Sequence, residues 1–314
     1  MPTVVTVAAD ALGSGPRARP QESTMFTFTS QDGVEIHVHE WLPAGQPRGV
    51  VQISHGMGEH AARYAPLAEH LAGLGFAVYA GDHRGHGLSM HAGPGHLGDN
   101  GWNLLVEDLA TLTRTARERH PGAPVILFGH SMGSFAAQQF LLDHAELVDG
   151  VALSGTTAVD QLVVALLEAA QRAQESGIED AGVFDAFNAA FEPVRTEADW
   201  LSRDEKQVDA YLADPLCGFA ADDRGMTDMG AAAARLAAPE GIPATLPLYV
   251  LVGDRDPLNA GLTLSDLLVS RYRAAGLTDV TYRTYDGARH EVLNETNRDE
   301  VVAELTAWIE RVAG

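Results

Sequence analysis

Val125-Ile-Leu-Phe-Gly-His-Ser-Met-Gly-Ser-Phe-Ala-Ala-Gln-Gln-Phe-Leu-Leu142 passes from a short apolar run, through Gly129-His-Ser131-Met-Gly133, into a segment free of helix breakers. That order predicts a buried strand, a tight turn and a helix. A turn this sharp has no room for a side chain at positions 129 and 133, which leaves Ser131 raised on the bend with its hydroxyl exposed. The first amides of the following helix, and its dipole, favour negative charge beside that hydroxyl. In a chain with 32 glycines the pentapeptide alone is a weak signal, and the strand before it and the helix after it make it specific.

A serine hydroxyl is too weak an acid to attack a carbonyl without a general base and a carboxylate to orient that base. Both follow in the chain. Leu248-Tyr-Val-Leu-Val252 reads as a strand running into Gly253-Asp254-Arg255-Asp256-Pro257, and Val280-Thr-Tyr-Arg-Thr-Tyr285 as another running into Asp286-Gly-Ala-Arg-His290. In a parallel sheet these strand ends share one edge, where such folds bind ligands. Of 13 histidines, His290 has the right position after the last strand, while Asp254 and Asp256 both remain open as its partner. Either aspartate could also be an ordinary solvated turn residue. His83, His86, His91 and His96 crowd the Gly-rich loop 82–96, but no cysteine lies near them and no pair has His-x3-His spacing, so no metal site is expected.

An earlier strand, Val50-Val-Gln-Ile-Ser54, leads into His55-Gly56-Met57-Gly58, where glycines let backbone approach a substrate. The run His55-Gly-Met-Gly-Glu59-His-Ala-Ala-Arg63-Tyr64 joins Asp82-His-Arg-Gly-His-Gly-Leu-Ser89, Gly-His-Ser131-Met-Gly, Tyr211-Leu-Ala-Asp-Pro-Leu-Cys217 and Gly287-Ala-Arg-His290-Glu-Val-Leu-Asn294-Glu. Together these motifs resemble the monoacylglycerol lipase and lysophospholipase branch of the serine α/β-hydrolases, along nearly the whole chain. The resemblance implies Ser131 as nucleophile, His290 as base, and Asp256, three residues after Gly253, as the orienting acid. It implies that the backbone amides of Met57 and Met132 hold the oxyanion. Glu59 and Arg63, four apart at an expected helix start, can pair locally, and the resemblance adds that they shape the polar end of the substrate pocket. The implied substrates are esters of medium or long acyl chains, monoacylglycerols or lysolipids, cleaved through an acyl-enzyme without a cofactor. Leu293 stands where some members carry a second histidine lining the alcohol pocket. Rival readings on the same fold are a carboxylesterase of short-chain esters or polyesters, a proline-releasing peptidase, and a non-catalytic ligand receptor.

Outward from these loops, Phe26-Thr-Phe-Thr and Val34-Glu-Ile-His-Val-His predict an opening antiparallel hairpin across Gln31-Asp-Gly. Buried strands near 50–54, 76–81, 125–129, 151–154, 248–252 and 280–285 then alternate with helices near 61–73, 101–119, 132–144, 261–275 and 297–312, the pattern of a mostly parallel, doubly wound α/β sheet. Residues 1–24 read as a mobile tail, and 25–156 with 244–314 as the hydrolase core. The interval between the strands at 151–154 and 248–252 exceeds what a crossover needs, so 157–243 is expected to form a helical cap. Its Leu162-Val-Val-Ala-Leu-Leu167 is apolar on nearly every face, and aromatics recur at helical spacing in Val183-Phe-Asp-Ala-Phe187-Asn-Ala-Ala-Phe191. Leu162, Leu166 and Phe187 are expected to line an acyl tunnel, with a lip that transiently touches a membrane or micelle. The alternative is that these residues only pack the cap onto the core.

Composition fits one soluble enzyme. A net charge of −22, from 43 acidic and 21 basic residues, repels nucleic acid and anionic membrane surfaces. The single cysteine, Cys217, cannot form an internal disulfide, so a reducing cytoplasmic setting is expected. The apolar stretch near the start is short, interrupted by Asp10 and not preceded by basic residues, which makes it a poor secretory signal. No run long enough to span a bilayer occurs.

Overall fold

The computed structural model describes residues 23–175 and 183–314. Its strands are β1 (Thr24–Thr29), β2 (Glu35–Trp41), β3 (Gly49–Ser54), β4 (Phe76–Gly81), β5 (Val125–His130), β6 (Gly150–Ser154), β7 (Leu248–Gly253) and β8 (Val280–Tyr285). They join in one sheet in the order β1-β2-β4-β3-β5-β6-β7-β8. β2 pairs antiparallel with both β1 and β4, and every other pairing is parallel. β3 to β7 are buried along their whole length, which is why they read as continuous apolar runs rather than alternating ones.

The helices are α1 (Ala65–Gly73), α2 (Gly101–Arg119), α3 (Met132–His144), α4 (Val159–Glu175), α5 (Val183–Asn188), α6 (Glu205–Ala213), α7 (Asp223–Leu236), α8 (Thr263–Ala274) and α9 (Arg298–Ala313). Side chains alternate along the central strands between two cores. Val50, Val125, Leu127, Val151, Leu153 and Val250 face α2, α3 and α8, through Leu105, Phe140 and Leu268. Val51, Ile53, Ile126, Phe128, Tyr249 and Leu251 face α1 and α9, through Leu71, Leu305 and Trp308. Each fully buried side chain of this size contributes about 1.5–3 kcal/mol, so covering both faces of the sheet fixes its register.

Two local outcomes differ from the sequence expectation. The helix expected over 61–73 opens as a 3-10 turn at Ala61–Tyr64 before α1 begins, because Pro66 has no N–H to continue one α-helical ladder through both. β1 begins at Thr24, the last residue of the expected tail, and residues 1–22 of that tail lie outside the described residues. Between β6 and β7 the chain runs through α4, α5, α6 and α7, and no helix among the described residues is long and apolar enough to cross a membrane.

The register brings the candidate loops together. Ser54 pairs with Gly129, so the loop after β3 lies beside the turn after β5. Gly253 pairs with Tyr285, so the loops carrying Asp256 and His290 are neighbours. The sheet order reverses at β3, with β4 on one side and β5 on the other, and the crevice at that switch point is where this architecture places ligands.

Candidate active site

Ser131 occupies φ 51°, ψ −123°, a conformation outside the ordinary regions for a residue with a side chain. The turn is held from both sides. The Ser131 amide donates to Ser154 O on β6 at 2.9 Å, and the Ser134 amide donates back to Ser131 O at 2.8 Å. A β-carbon on Gly129 would lie 2.5 Å from Gly133 O, and one on Gly133 would lie 2.2 Å from Ser54 O. Glycine at both positions is therefore required for close approach of backbone, and the strain falls on the serine between them.

The Ser131 hydroxyl donates to His290 Nε2 at 2.8 Å, and His290 Nδ1–H donates to Asp256 Oδ2 at 2.9 Å. Asp256 is held in turn by the Leu258 amide on Oδ1 (2.9 Å) and by Asn259 Nδ2 on Oδ2 (3.3 Å). The other candidate acid is engaged elsewhere: Asp254 Oδ1 accepts the Gly287 amide at 2.7 Å and braces the loop after β8. Such a line of groups can take a proton from a hydroxyl and return it to a leaving group without moving the backbone.

Burial opposes a charged imidazole at His290, but the Asp256 carboxylate and its hydrogen bond, helped by Glu291 and Glu59, outweigh it and raise the pKa above the usual 6.5. The base form is therefore lost as pH falls through that raised value. We predict that kcat/KM for an ester rises with pH through one ionisation above 6.5 and then levels off, and that Asp256→Asn moves the midpoint downward. A pH–rate profile measured on both proteins checks this, and a wild-type midpoint below 6.5 would contradict it.

Two residues expected to offer oxyanion-holding amides border the same space. Met57 follows Gly56 after β3, Met132 is the first residue of α3, and both line the cavity at Ser131. Neither amide has an acceptor within the protein among the described residues, which leaves both available to a negative oxygen. The loop carrying Met57 is pinned at several points. The Gly56 amide donates to Glu59 Oε1 at 2.5 Å, and Gly218 N donates to Gly58 O at 3.0 Å. His55 Nε2 accepts the His83 amide at 2.9 Å, so its other nitrogen carries the proton and donates to Gly56 O at 2.8 Å.

The histidines of the Gly-rich loop thus have a use the sequence did not reveal. His83 and His86 pack on His55 with ring centroids 4.2 and 5.3 Å away, whereas His96 pairs with Asp222 at 2.8 Å. Burial lowers the pKa of His55 and His83 and pushes His86 down to about 3. His130, beside Ser131, is lowered to about 4 by burial and by its neighbour His290. Each contributes stability that is fully present above pH 6.5 and declines as pH falls toward its folded value, because the unfolded chain takes up protons that the folded one refuses.

Glu59 and Arg63 do pair, at 2.5 Å, but in a buried network rather than on a solvated helix start. Arg63 also makes two parallel bonds to Glu291, at 2.7 and 2.8 Å, and Tyr64 OH donates to Glu59 at 2.8 Å. Burial would raise the Glu59 pKa, yet the charges of Arg63, His130 and His55 hold it low. Because Glu291 follows His290 directly, this network ties the loop bearing Met57 to the loop bearing His290. Glu59 borders both the cavity at Ser131 and a second cleft of about 430 Å³, which Arg63, His130, Glu291 and Leu293 also line.

Leu162, Leu166 and Phe187 reach the cavity at Ser131 together with Phe135, Met226 and Met229. Trp200, which sequence reasoning did not single out, packs against His290 with ring centroids 4.9 Å apart and the rings tilted by 36°. α4 divides its apolar side chains between two environments. Leu162 is 7% exposed, whereas Val164 and Leu167 are 47% and 66% exposed.

Residues 45–297 match the model of the family described as "Serine aminopeptidase, S33". The chain belongs to this α/β-hydrolase family. A monoacylglycerol lipase of Mycolicibacterium smegmatis is 34% identical over 293 residues, covering 90% of this chain and 95% of that protein. A human monoglyceride lipase is 30% identical over 308 residues, covering 94% of each. Among solved structures, a thermostable carboxyl esterase from Bacillus coagulans in complex with glycerol superimposes with a TM-score of 0.79 at 28% identity, covering 94% of this chain and 100% of that one.

Proposed function

We propose that this hydrolase cleaves esters of medium or long acyl chains, with monoacylglycerols as the favoured class. The observation that carries the reading is an apolar cavity, lined by Phe135, Leu162, Leu166, Phe187, Met226 and Met229, that reaches the Ser131 hydroxyl. The lipase relatives, matched over nearly their whole length, support it. Ser131 attacks the ester carbonyl while His290 takes its proton, and the amides of Met57 and Met132 hold the oxyanion. His290 then returns the proton to the leaving alcohol, and Asp256 keeps the imidazole in the tautomer that both transfers need. Water, activated by His290, releases the acid and restores Ser131. Glu59 and Arg63 keep their place at the polar end of the site, where the second cleft gives the alcohol room.

The residues between β6 and β7 serve in this reading as a cap over 157–243. The cavity at Ser131 holds about 70 Å³, below the roughly 300 Å³ that encloses a drug-sized ligand. Long acyl chains therefore enter by displacement of α4 and α5. The outward Val164 and Leu167 on α4 supply a small apolar lip for transient contact with a neutral lipid aggregate, since the net charge of −22 disfavours an anionic surface. With its single cysteine, the chain suits a cytoplasmic setting.

Shortening Leu162, Leu166 and Phe187 to alanine tests the acyl tunnel. Each buried methylene contributes about 0.8 kcal/mol of transfer energy, so turnover of sixteen-carbon esters is expected to fall far more than that of acetate. Side chains that only pack α4 and α5 onto the core would instead lower the melting temperature and cut activity on two-, eight- and sixteen-carbon esters in similar proportion. Equal losses across that series would move the reading to a general carboxylesterase.

A further inference from the structure

His60 meets Asp214 and Cys217, two residues of one turn at the end of α6 and far from His60 in sequence. One ligand atom from each lies within 4.8 Å of the other two, and His60 Nε2 stands 3.0 Å from Asp214 Oδ2. The turn that presents the last two is rigidly built. Asp214 Oδ1 accepts the Leu216 amide at 2.9 Å, which aims Oδ2 toward His60, and the Cys217 amide donates to Asp214 O at 3.0 Å. Asp214 and Cys217 thereby project from one side of an Asp-Pro-Leu-Cys turn, and His60 faces them from the segment after β3. The His60 side chain is 11% exposed and that of Asp214 32%, so an ion could enter from solvent on one side and find protein on the others.

We propose that these three side chains form a binding site for a zinc ion, which ties the turn after α6 to the segment after β3. Imidazole nitrogen, carboxylate oxygen and thiolate sulfur are the donor set that zinc takes in tetrahedral sites, with water as the fourth ligand. Tetrahedral zinc sets its ligand atoms about 3.3–3.8 Å apart, so the widest separation must close by roughly 1 Å, within reach of a side-chain rotation at Cys217. The thiol gives up its proton on binding, so affinity rises with pH. The segment joined to the turn is already in contact with it, because the Gly218 amide donates to Gly58 O at 3.0 Å. The ion would strengthen an existing junction rather than create one.

The test uses the whole chain, freed of metal and titrated with zinc alone and with cobalt alone. One zinc is expected to bind per chain and to raise the melting temperature progressively with zinc concentration. Cobalt is expected to give a thiolate-to-metal charge-transfer band. In Cys217→Ser the band disappears, and in both Cys217→Ser and Asp214→Asn zinc affinity falls by more than roughly tenfold. Circular dichroism of the metal-free variants shows whether each is folded, and ester turnover by metal-free Cys217→Ser is expected to match wild type. Zinc stabilisation that persists undiminished in both variants, or a cobalt complex without the thiolate band, would overturn the site. In that case the ordinary His60–Asp214 ion pair is all that the cluster provides.

Discussion

Replacing Ser131 by alanine is expected to lower ester turnover by on the order of 10⁴-fold or more while leaving the protein folded. The size of the effect follows from geometry, since the Ser131 hydroxyl is the group that meets His290 Nε2 at 2.8 Å. The variant should fold because the turn is held by backbone bonds, from the Ser131 amide to Ser154 O and from the Ser134 amide to Ser131 O. Alanine bears the same positive φ that serine already does. Labelling by a fluorophosphonate should vanish, and a melting curve should stay near that of wild type. Labelling of a different serine in the variant would remove Ser131 from its role.

The second large effect separates two neighbouring carboxylates. Asp256→Asn should lose about 10⁴-fold in kcat, because an amide nitrogen turned toward His290 cannot accept the Nδ1 proton and favours the wrong tautomer. Substrate binding should persist, since the loss falls on the transition state. Asp254→Asn should lose less than about tenfold, because an asparagine oxygen can still accept the Gly287 amide now held by Asp254 Oδ1 at 2.7 Å. Steady-state kinetics on the two variants decide the matter, and the reverse order would reject Asp256 as the orienting acid.

The fold was legible because each central strand is buried on both faces and so reads as an unbroken apolar run ending at a loop of small or polar residues. The strands at 76–81 and 280–285 coincide with β4 and with the edge strand β8, and the other strands from β3 to β7 extend by a residue. The order of strand, turn and helix around Ser131 was legible too. Spacing could not choose between Asp254 and Asp256, because both sit in one turn and the choice depends on a histidine 34 residues away from Asp256. The Arg63–Glu291 pair spans 228 residues and carries no local signal. Trp200 on His290 and Cys217 near His60 are hidden for the same reason. α4 was legible only in part. A stretch apolar on nearly every face does not say which side turns inward, and Leu167 is 66% exposed, as suits a helix with a cavity on one side and solvent on the other.

In the proposed function Ser131 works on esters whose acyl chain is gripped by the apolar cavity. The most direct measurement is kcat/KM for a series of monoacylglycerols from two to sixteen acyl carbons, run on wild type and Ser131→Ala side by side. Wild-type values are expected to climb with chain length, by up to about fourfold per methylene buried, until the cavity is filled, and turnover by the alanine variant should stay at background throughout. A maximum at two carbons would rule out the grip of the cavity on the acyl chain, and chain-length-dependent turnover that survives in the alanine variant would rule out Ser131 as the nucleophile.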